Sequence, residues 1–144
     1  AAIISLVALL SGAYAVWRNA GAVCGSWPLC GGPLIPEVTL TFIHMVHRVL
    51  AGVSVVLAAY AAHRVYRLEG ADRLLRLGAI IVGVVIVAQM FIGAANPWTD
   101  FETWAKASHL SMATVMFAAT SLVAVIIWLA IHREEREARA NSIE

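Results

Sequence analysis

Long apolar runs alternate with short polar stretches along the whole chain. Four runs, at about 1–17, 38–65, 77–95 and 104–131, are close to or longer than the ~20 residues that cross a hydrocarbon core ~30 Å thick. A secretory signal peptide is a poor explanation of the first run, because it lacks a basic start and is followed by further apolar runs. The pattern predicts four transmembrane helices.

The stretches between the runs carry residues that end helices. The outer loop, residues 19–37, is rich in glycine and proline, which mark turns, and Asn96-Pro97 predicts the end of the third helix. Residues 132–144 form a charged tail, either a helical extension or disordered. Since no connector is long enough for a second core, we expect one domain: an all-α, integral membrane four-helix transmembrane bundle.

Composition supports a membrane protein. The 144 residues are 61% hydrophobic and 13% charged, whereas soluble domains are about 45–50% apolar and about 25% charged. A formal net charge of +1 without a basic run gives no indication of nucleic-acid binding. The expected surroundings are membrane lipid.

Charge placement predicts the orientation. Arginines are concentrated between the second and third runs and in the tail, and such residues favour the cytoplasmic side. Four tryptophans lie at the other boundary, where aromatic rings favour the interface. We therefore expect a multi-pass protein of the cell membrane with cytoplasmic termini and an outward-facing cysteine loop. The arginines are Arg64, Arg67, Arg73, Arg76, Arg133, Arg136 and Arg139, and the tryptophans are Trp17, Trp27, Trp98 and Trp104.

Two histidines lie inside predicted spans, where ionisable groups are costly and indicate function. His47 and His109 follow the outer ends of the second and fourth runs, at depths differing by less than ~10 Å at ~1.5 Å per residue. Two imidazoles facing each other across a bundle can supply both axial ligands of a haem iron. Hydrogen bonds to neighbouring helices are the simpler alternative.

Nearby cations suit the acidic groups of a haem. Arg48 and Lys106 lie near the outer end of the expected pocket, where they could pair with haem propionates. Either could instead extend to the membrane interface. His63 and His132, at the cytoplasmic ends, are better explained as interfacial residues than as ligands of a second haem.

The outer loop contains both cysteines. Cys24 and Cys30 bracket a turn, and two such cysteines in an oxidising compartment indicate a disulfide. A redox-active dithiol is the alternative, while a zinc site would need further ligands. In the third run, Gln89, Gly93 and Asn96 share one helical face, which favours hydrogen bonds across helices over ligand contact.

Several motifs together resemble the haem A synthases of aerobic respiration. The loop from Cys24 to Cys30 and the segment His47-Arg48-Val-Leu-Ala-Gly52 carry the resemblance. So do Gln89-Met-Phe-Ile-Gly93-Ala94 and His109-Leu-Ser-Met-Ala113. Family members usually have eight spans in two four-helix halves, each with a histidine pair, and this chain resembles one half. The resemblance therefore implies a homodimer or an independent short form.

The resemblance also implies an activity. It is oxidation of a methyl group of haem O to a formyl group, giving haem A for terminal oxidases, with haem b as cofactor and an unidentified electron donor. By position, His47 and His109 would be the axial ligands, and Cys24 and Cys30 the loop pair.

One position departs from the family pattern. The substrate half usually has a catalytic glutamate three residues before the first ligand histidine, and here that position is His44. An imidazole could act as a general base, so His44 is the candidate catalytic residue. Two alternatives stay open: a b-type cytochrome that only transfers electrons, and a haem-binding assembly protein without methyl oxidation.

Overall fold

The chain folds into four helices. A computed structural model describes residues 1–33 and 35–141, so residue 34 of the outer loop and residues 142–144 of the tail lie outside the described part. The helices are α1 (Ala2–Trp17), α2 (Thr39–Tyr66), α3 (Arg73–Trp98) and α4 (Thr103–Asn141). The described residues form no strand, which confirms the all-α prediction.

Three of the helices are long and apolar enough to cross a membrane. They are α2, α3 and the segment Thr103–Arg133 of α4. Helix α1 is apolar but has 16 residues, about 24 Å at 1.5 Å per residue, against ~30 Å of hydrocarbon. Its crossing stays a prediction.

The helices close into a ring. Each packs against the next along the chain, and α4 returns to α1, so α2 and α4 lie diagonally opposite. Near the arginine-rich end the ring is filled by small and aliphatic side chains, among them Ala58, Ala62, Ala79, Val82 and Met116. The opposite half of the ring contains the histidines.

Large apolar side chains cover the outside of the bundle. Val84, Phe91 and Leu122 are each more than 60% exposed, and they lie on three-turn or longer apolar stretches of α3 and α4. Soluble monomers rarely expose contiguous apolar surface of this extent. The bundle therefore has the surface of a protein embedded in lipid.

Helix α3 continues past the predicted stop at Asn96-Pro97 and ends at Trp98. Proline has no N–H, so Pro97 cannot donate to the carbonyl of Gly93 four residues earlier. The Asn96 side chain compensates, because its Nδ2 donates to the carbonyls of Ile92 and Gly93 at 3.2 and 3.4 Å. Asn96 thus bonds within its own helix, and not across helices as the sequence favoured.

Helix α4 extends through the predicted tail as far as Asn141. Its 39 residues span about 58 Å at 1.5 Å per residue, well beyond a bilayer core ~30 Å thick. Of the two forms open for the tail, the described residues adopt the helical extension.

Candidate haem site

His47 and His109 meet at the centre of the bundle. They come from the diagonally opposite helices α2 and α4, and their ring centroids are 6.5 Å apart with planes at 80°. The fold thus brings together two imidazoles separated by 61 intervening residues. Both lie in the half of the ring toward the outer loop.

A glycine on the preceding helix holds each ring. A Cβ on Gly12 of α1 would lie 2.8 Å from Cε1 of His47, and one on Gly93 of α3 would lie 3.1 Å from Cε1 of His109. Glycine lets the backbone approach this closely, and at Gly12 a Cβ would force the ring to shift. The sequence singled out Gly93 but not Gly12, whose role depends on a ring 35 residues away.

A hydrogen-bond relay orients His47. The hydroxyl of Ser11 donates to the Ala8 carbonyl at 2.7 Å, and Ser11 Oγ lies 3.0 Å from His47 Nδ1. Because the hydroxyl proton is already committed, Nδ1 of His47 is the donor in that second bond. This tautomer leaves Nε2 unprotonated, with a lone pair available to a metal. Sequence reasoning missed Ser11.

His109 has no such partner. Its Nδ1 is buried without a hydrogen bond, and the same is true of Oε1 of Gln89 on α3. Buried polar groups are nearly always paired. These two atoms are therefore unusual within the described part of the chain.

The separation of the two histidine rings matches that expected for the two axial ligands of a haem iron. A metal–nitrogen bond of about 2.0–2.1 Å, plus about 1.1 Å from nitrogen to ring centre on each side, gives a centroid separation of about 6.3 Å. The observed value is 6.5 Å. The unpartnered His109 and the glycines beside both rings agree with ligands prepared for a flat prosthetic group.

His44 lies one turn from His47 on the side of the outer loop. Its side chain is buried, its ring centroid is 6.4 Å from that of His47, and its Nδ1 donates to the Ala20 carbonyl at 2.7 Å. With the proton on Nδ1, Nε2 can accept another. The predicted catalytic residue therefore lies beside the histidine pair.

Arg48 holds the outer loop. Its guanidinium donates to the carbonyls of Ser26, Pro28 and Cys24 at 2.6, 3.0 and 3.2 Å. These bonds use three of the five guanidinium N–H groups. Pairing with propionates stays a prediction for the remaining two. Lys106 is exposed one turn before His109 in α4.

The outer loop is closed and packed against the end of α3. Cys24 and Cys30 are joined in a disulfide bond, with Cys24 almost fully buried. Trp27 lies between the two cysteines, and its indole contacts that of Trp98 edge-on, with the ring centroids 6.3 Å apart. Loop residues 24–30, called the lid below, therefore pack against the end of α3 that lies on the side of the histidine pair.

The remaining histidines lie far from this pair. His63 is exposed near the end of α2. His132 stacks on Trp128 with centroids 4.3 Å apart and donates to the carbonyl of the same residue at 3.0 Å. The structure thus places neither one at the candidate site.

Known proteins resemble most of this chain. Proteins named "Heme A synthase" match it from Geobacillus thermodenitrificans, 30% identical over 86% of this chain and 40% of the relative, and from Bacillus licheniformis, 29% identical over 92% and 44%. A "Protoheme IX farnesyltransferase" of Chloroflexus aurantiacus is 29% identical over 86% of this chain and 21% of its own length.

The chain spans less than half the length of these relatives. No solved structure matches it significantly. A family model described as "Cytochrome oxidase assembly protein" matches residues 1–121, which include all five candidate site residues on α2 and α4. The chain therefore belongs to the COX15-CtaA family of cytochrome oxidase assembly proteins.

Proposed function

We propose that this chain is a haem A synthase bundle that binds haem between His47 and His109. The observation that carries the proposal is the separation of the two ring centroids, 6.5 Å across the centre of the ring. The names of the longer relatives support haem A synthesis as the activity. Haem b is the proposed cofactor and haem O the proposed substrate.

The reaction oxidises one methyl group of haem O to a formyl group. The methyl carbon loses two hydrogens and gains one oxygen; with dioxygen as the oxidant and an external electron donor, the reaction is written R–CH3 + 2 O2 + 4 H⁺ + 4 e⁻ → R–CHO + 3 H2O. When bound, haem b would supply a redox-active iron that can pass on electrons from the external donor. The external redox partner of the membrane is unidentified.

The protein's own residues bind, orient and move protons. His47 and His109 hold the iron, and the Ser11 relay fixes the tautomer of His47. His44 accepts a proton on Nε2, because its Nδ1 proton is held by the Ala20 carbonyl. Lys106 and the free N–H groups of Arg48 pair with propionates.

The loop and the orientation complete the proposal. The Cys24–Cys30 disulfide restrains a lid that limits water entry from the outer face. We place this loop outside and both termini in the cytoplasm, with α1 as a fourth crossing, since the arginines lie at the opposite end.

Haem analysis tests the activity. The chain is produced in a host that makes haem O but no haem A, and the extracted haems are identified by mass. We expect haem A, and none from the His44→Ala variant. If haem b is bound and haem O stays unchanged while a redox partner is active, the synthase proposal is wrong.

Spectroscopy tests the ligands separately. His47→Ala and His109→Ala should each abolish the low-spin spectrum of a bis-histidine haem, since each removes one of two axial ligands. His63→Ala is the matched control and should retain it. Normal spectra from both ligand variants would refute the assignment.

A second candidate is a b-type cytochrome that transfers electrons without changing haem. His44 favours it, because family members usually have a glutamate at this position of the substrate half. A haem-binding assembly protein is a third possibility on the same ground. The His44→Glu variant distinguishes both of these candidates from the synthase. If this variant makes haem A and the wild type does not, the natural bundle binds haem but lacks the catalytic carboxylate.

A further inference from the structure

The two histidines at the centre of the bundle are held unequally. Nδ1 of His47 has a partner in Ser11, while Nδ1 of His109 is buried without one. This difference has chemical consequences if both rings bind one iron, so the inference below rests on the proposed haem site.

Metal binding would determine which nitrogen of His109 carries the proton. When Nε2 binds the iron, the neutral ring keeps its proton on Nδ1, which then acts as a donor. Ligand histidines almost always donate this second N–H to an acceptor. An unpaired donor is costly in the interior of a membrane bundle, so an acceptor is expected nearby.

The geometry shows which helix faces that nitrogen. A Cβ on Gly93 would lie 3.4 Å from Nδ1 of His109, so the donor edge of the ring lies against α3. On α1, Ser11 immediately precedes Gly12 and serves His47. The residue that precedes Gly93 is Ile92, which has no hydroxyl to offer.

Gln89 is the available acceptor on α3. It lies four residues before Gly93, one turn away on the same face of the helix. Its Oε1 is buried without a hydrogen-bond partner, like Nδ1 of His109, and the described residues contain no other such pair of buried side-chain atoms. The two helices therefore each carry one unsatisfied buried atom, an acceptor on α3 and a prospective donor on the ring that packs against α3.

We propose that Gln89 is the positioning residue of His109, with its Oε1 accepting the Nδ1–H of that ring when haem is bound. The two atoms are not hydrogen-bonded in the structure. Haem binding therefore brings them together by rotation of the flexible Gln89 side chain, or through one bridging water. Gln89 fixes the plane of the ring and makes the imidazole a stronger electron donor to the iron.

Substitutions at Gln89 should change the haem in opposite directions. Gln89→Leu removes the acceptor, so the midpoint potential of the haem should rise and haem retention should fall on the order of 10–100-fold. Gln89→Glu supplies a stronger acceptor and should lower the potential. Met90→Leu, at the neighbouring lipid-facing position, is the matched control and should change neither property.

A magnetic measurement separates a hydrogen bond from a purely structural role. Electron–nuclear double resonance of the oxidised protein detects the exchangeable Nδ1 protons of the two ligands. Substitution at Gln89 should alter one of these signals, and Ser11→Ala should alter the other. If Gln89→Leu does not accumulate, the resonance of Gln89→Glu gives the answer.

The outcomes also separate this proposal from the proposed function. A wild-type spectrum without bis-histidine haem would overturn both. A normal haem whose potential, retention and Nδ1 resonances are unchanged by Gln89 substitution would overturn only the assignment of Gln89.

Discussion

At the scale of single residues, close packing against glycine is what the two central histidines share. Gly12 and Gly93 each let a helix backbone approach the Cε1 edge of a ring; a Cβ at Gly12 would be too close to that edge, and one at Gly93 would be tighter than usual. Such contacts limit how far the rings can turn. Hydrogen bonding then sets their tautomers, through Ser11 for one and through the proposed Gln89 for the other.

Gly12→Ala should displace His47. The new Cβ would lie 2.8 Å from Cε1, and the ring must move because the backbone on both sides belongs to packed helices. Overpacking of this kind costs about 1–3 kcal/mol. We expect weaker haem binding, measured by absorbance titration with haem b. Gly52→Ala is the control, since nothing lies within 4 Å of that position; equal haem affinity in both variants would contradict the prediction.

Residues of the site differ in how well sequence can identify them. His47 and His109 could be predicted because histidine is rare in apolar spans. Ser11 and Gly12 could not, because small residues are common in membrane helices and their role depends on helix rotation. The carbonyl partners of Arg48 were equally inaccessible, since the path of a loop rich in glycine and proline does not follow from its composition.

At the scale of elements, the outer end of α2 organises the loop that precedes it. His44 and Arg48, one turn apart, donate to loop carbonyls at Ala20 and at three residues of the disulfide ring. The helix that carries the proposed ligand His47 therefore also holds the lid.

Arg48→Ala should loosen the lid without unfolding the bundle. Three loop carbonyls would lose a charged donor, at a cost on the order of 1–2 kcal/mol for a partly exposed group. Limited proteolysis from the outer face should cut within 20–33 faster than in the wild type. Arg64→Ala, whose guanidinium bonds only Tyr60 Oη among the hydrogen bonds described, should leave the cleavage rate unchanged. Unchanged cleavage in Arg48→Ala would refute the role as a clamp.

The outer end of α3 depends on one amide. Asn96→Leu would remove the side-chain N–H that donates to the Gly93 carbonyl. Pro97 cannot take its place, because proline has no backbone N–H. We expect a loss of about 1 kcal/mol, measured by thermal unfolding in detergent, together with weaker haem binding because Gly93 packs on His109. Thr114→Ala removes an exposed side-chain bond to the Leu110 carbonyl and should have a smaller effect on both. A larger effect at Thr114 would count against this account.

The positions of the long helices followed from apolar runs, while their ends did not. The end of α3 moved outward because Asn96 satisfies the carbonyl left by Pro97. Helix α4 continued into the charged segment, where Glu, Arg and Ala are good helix formers. Both differences arise from local hydrogen bonding and propensity, to which hydropathy is insensitive.

At the scale of the whole molecule, the ring divides into two halves with different interiors. Toward the arginine-rich end, aliphatic and alanine side chains fill the core, and the buried hydroxyls of Ser5 and Ser54 bond each other at 3.1 Å. Toward the outer loop, the core contains three histidines and the glycines beside them. The packed half gives the stability, so the other half can keep polar groups ready for a ligand.

One bundle carries one central histidine pair, yet the proposed reaction uses a resident haem and a substrate haem. We therefore expect two bundles to act together. Light scattering of the solubilised, haem-loaded protein should give twice the chain mass. When the protein is supplied with haem O, the amount of extracted haem b should equal the summed amount of haem O and haem A. Because identical chains present identical pockets, His47→Ala should abolish both occupancies at once, while His63→Ala should abolish neither. A monomer that converts haem O would show that one bundle is sufficient, and the pairing of bundles would then be wrong.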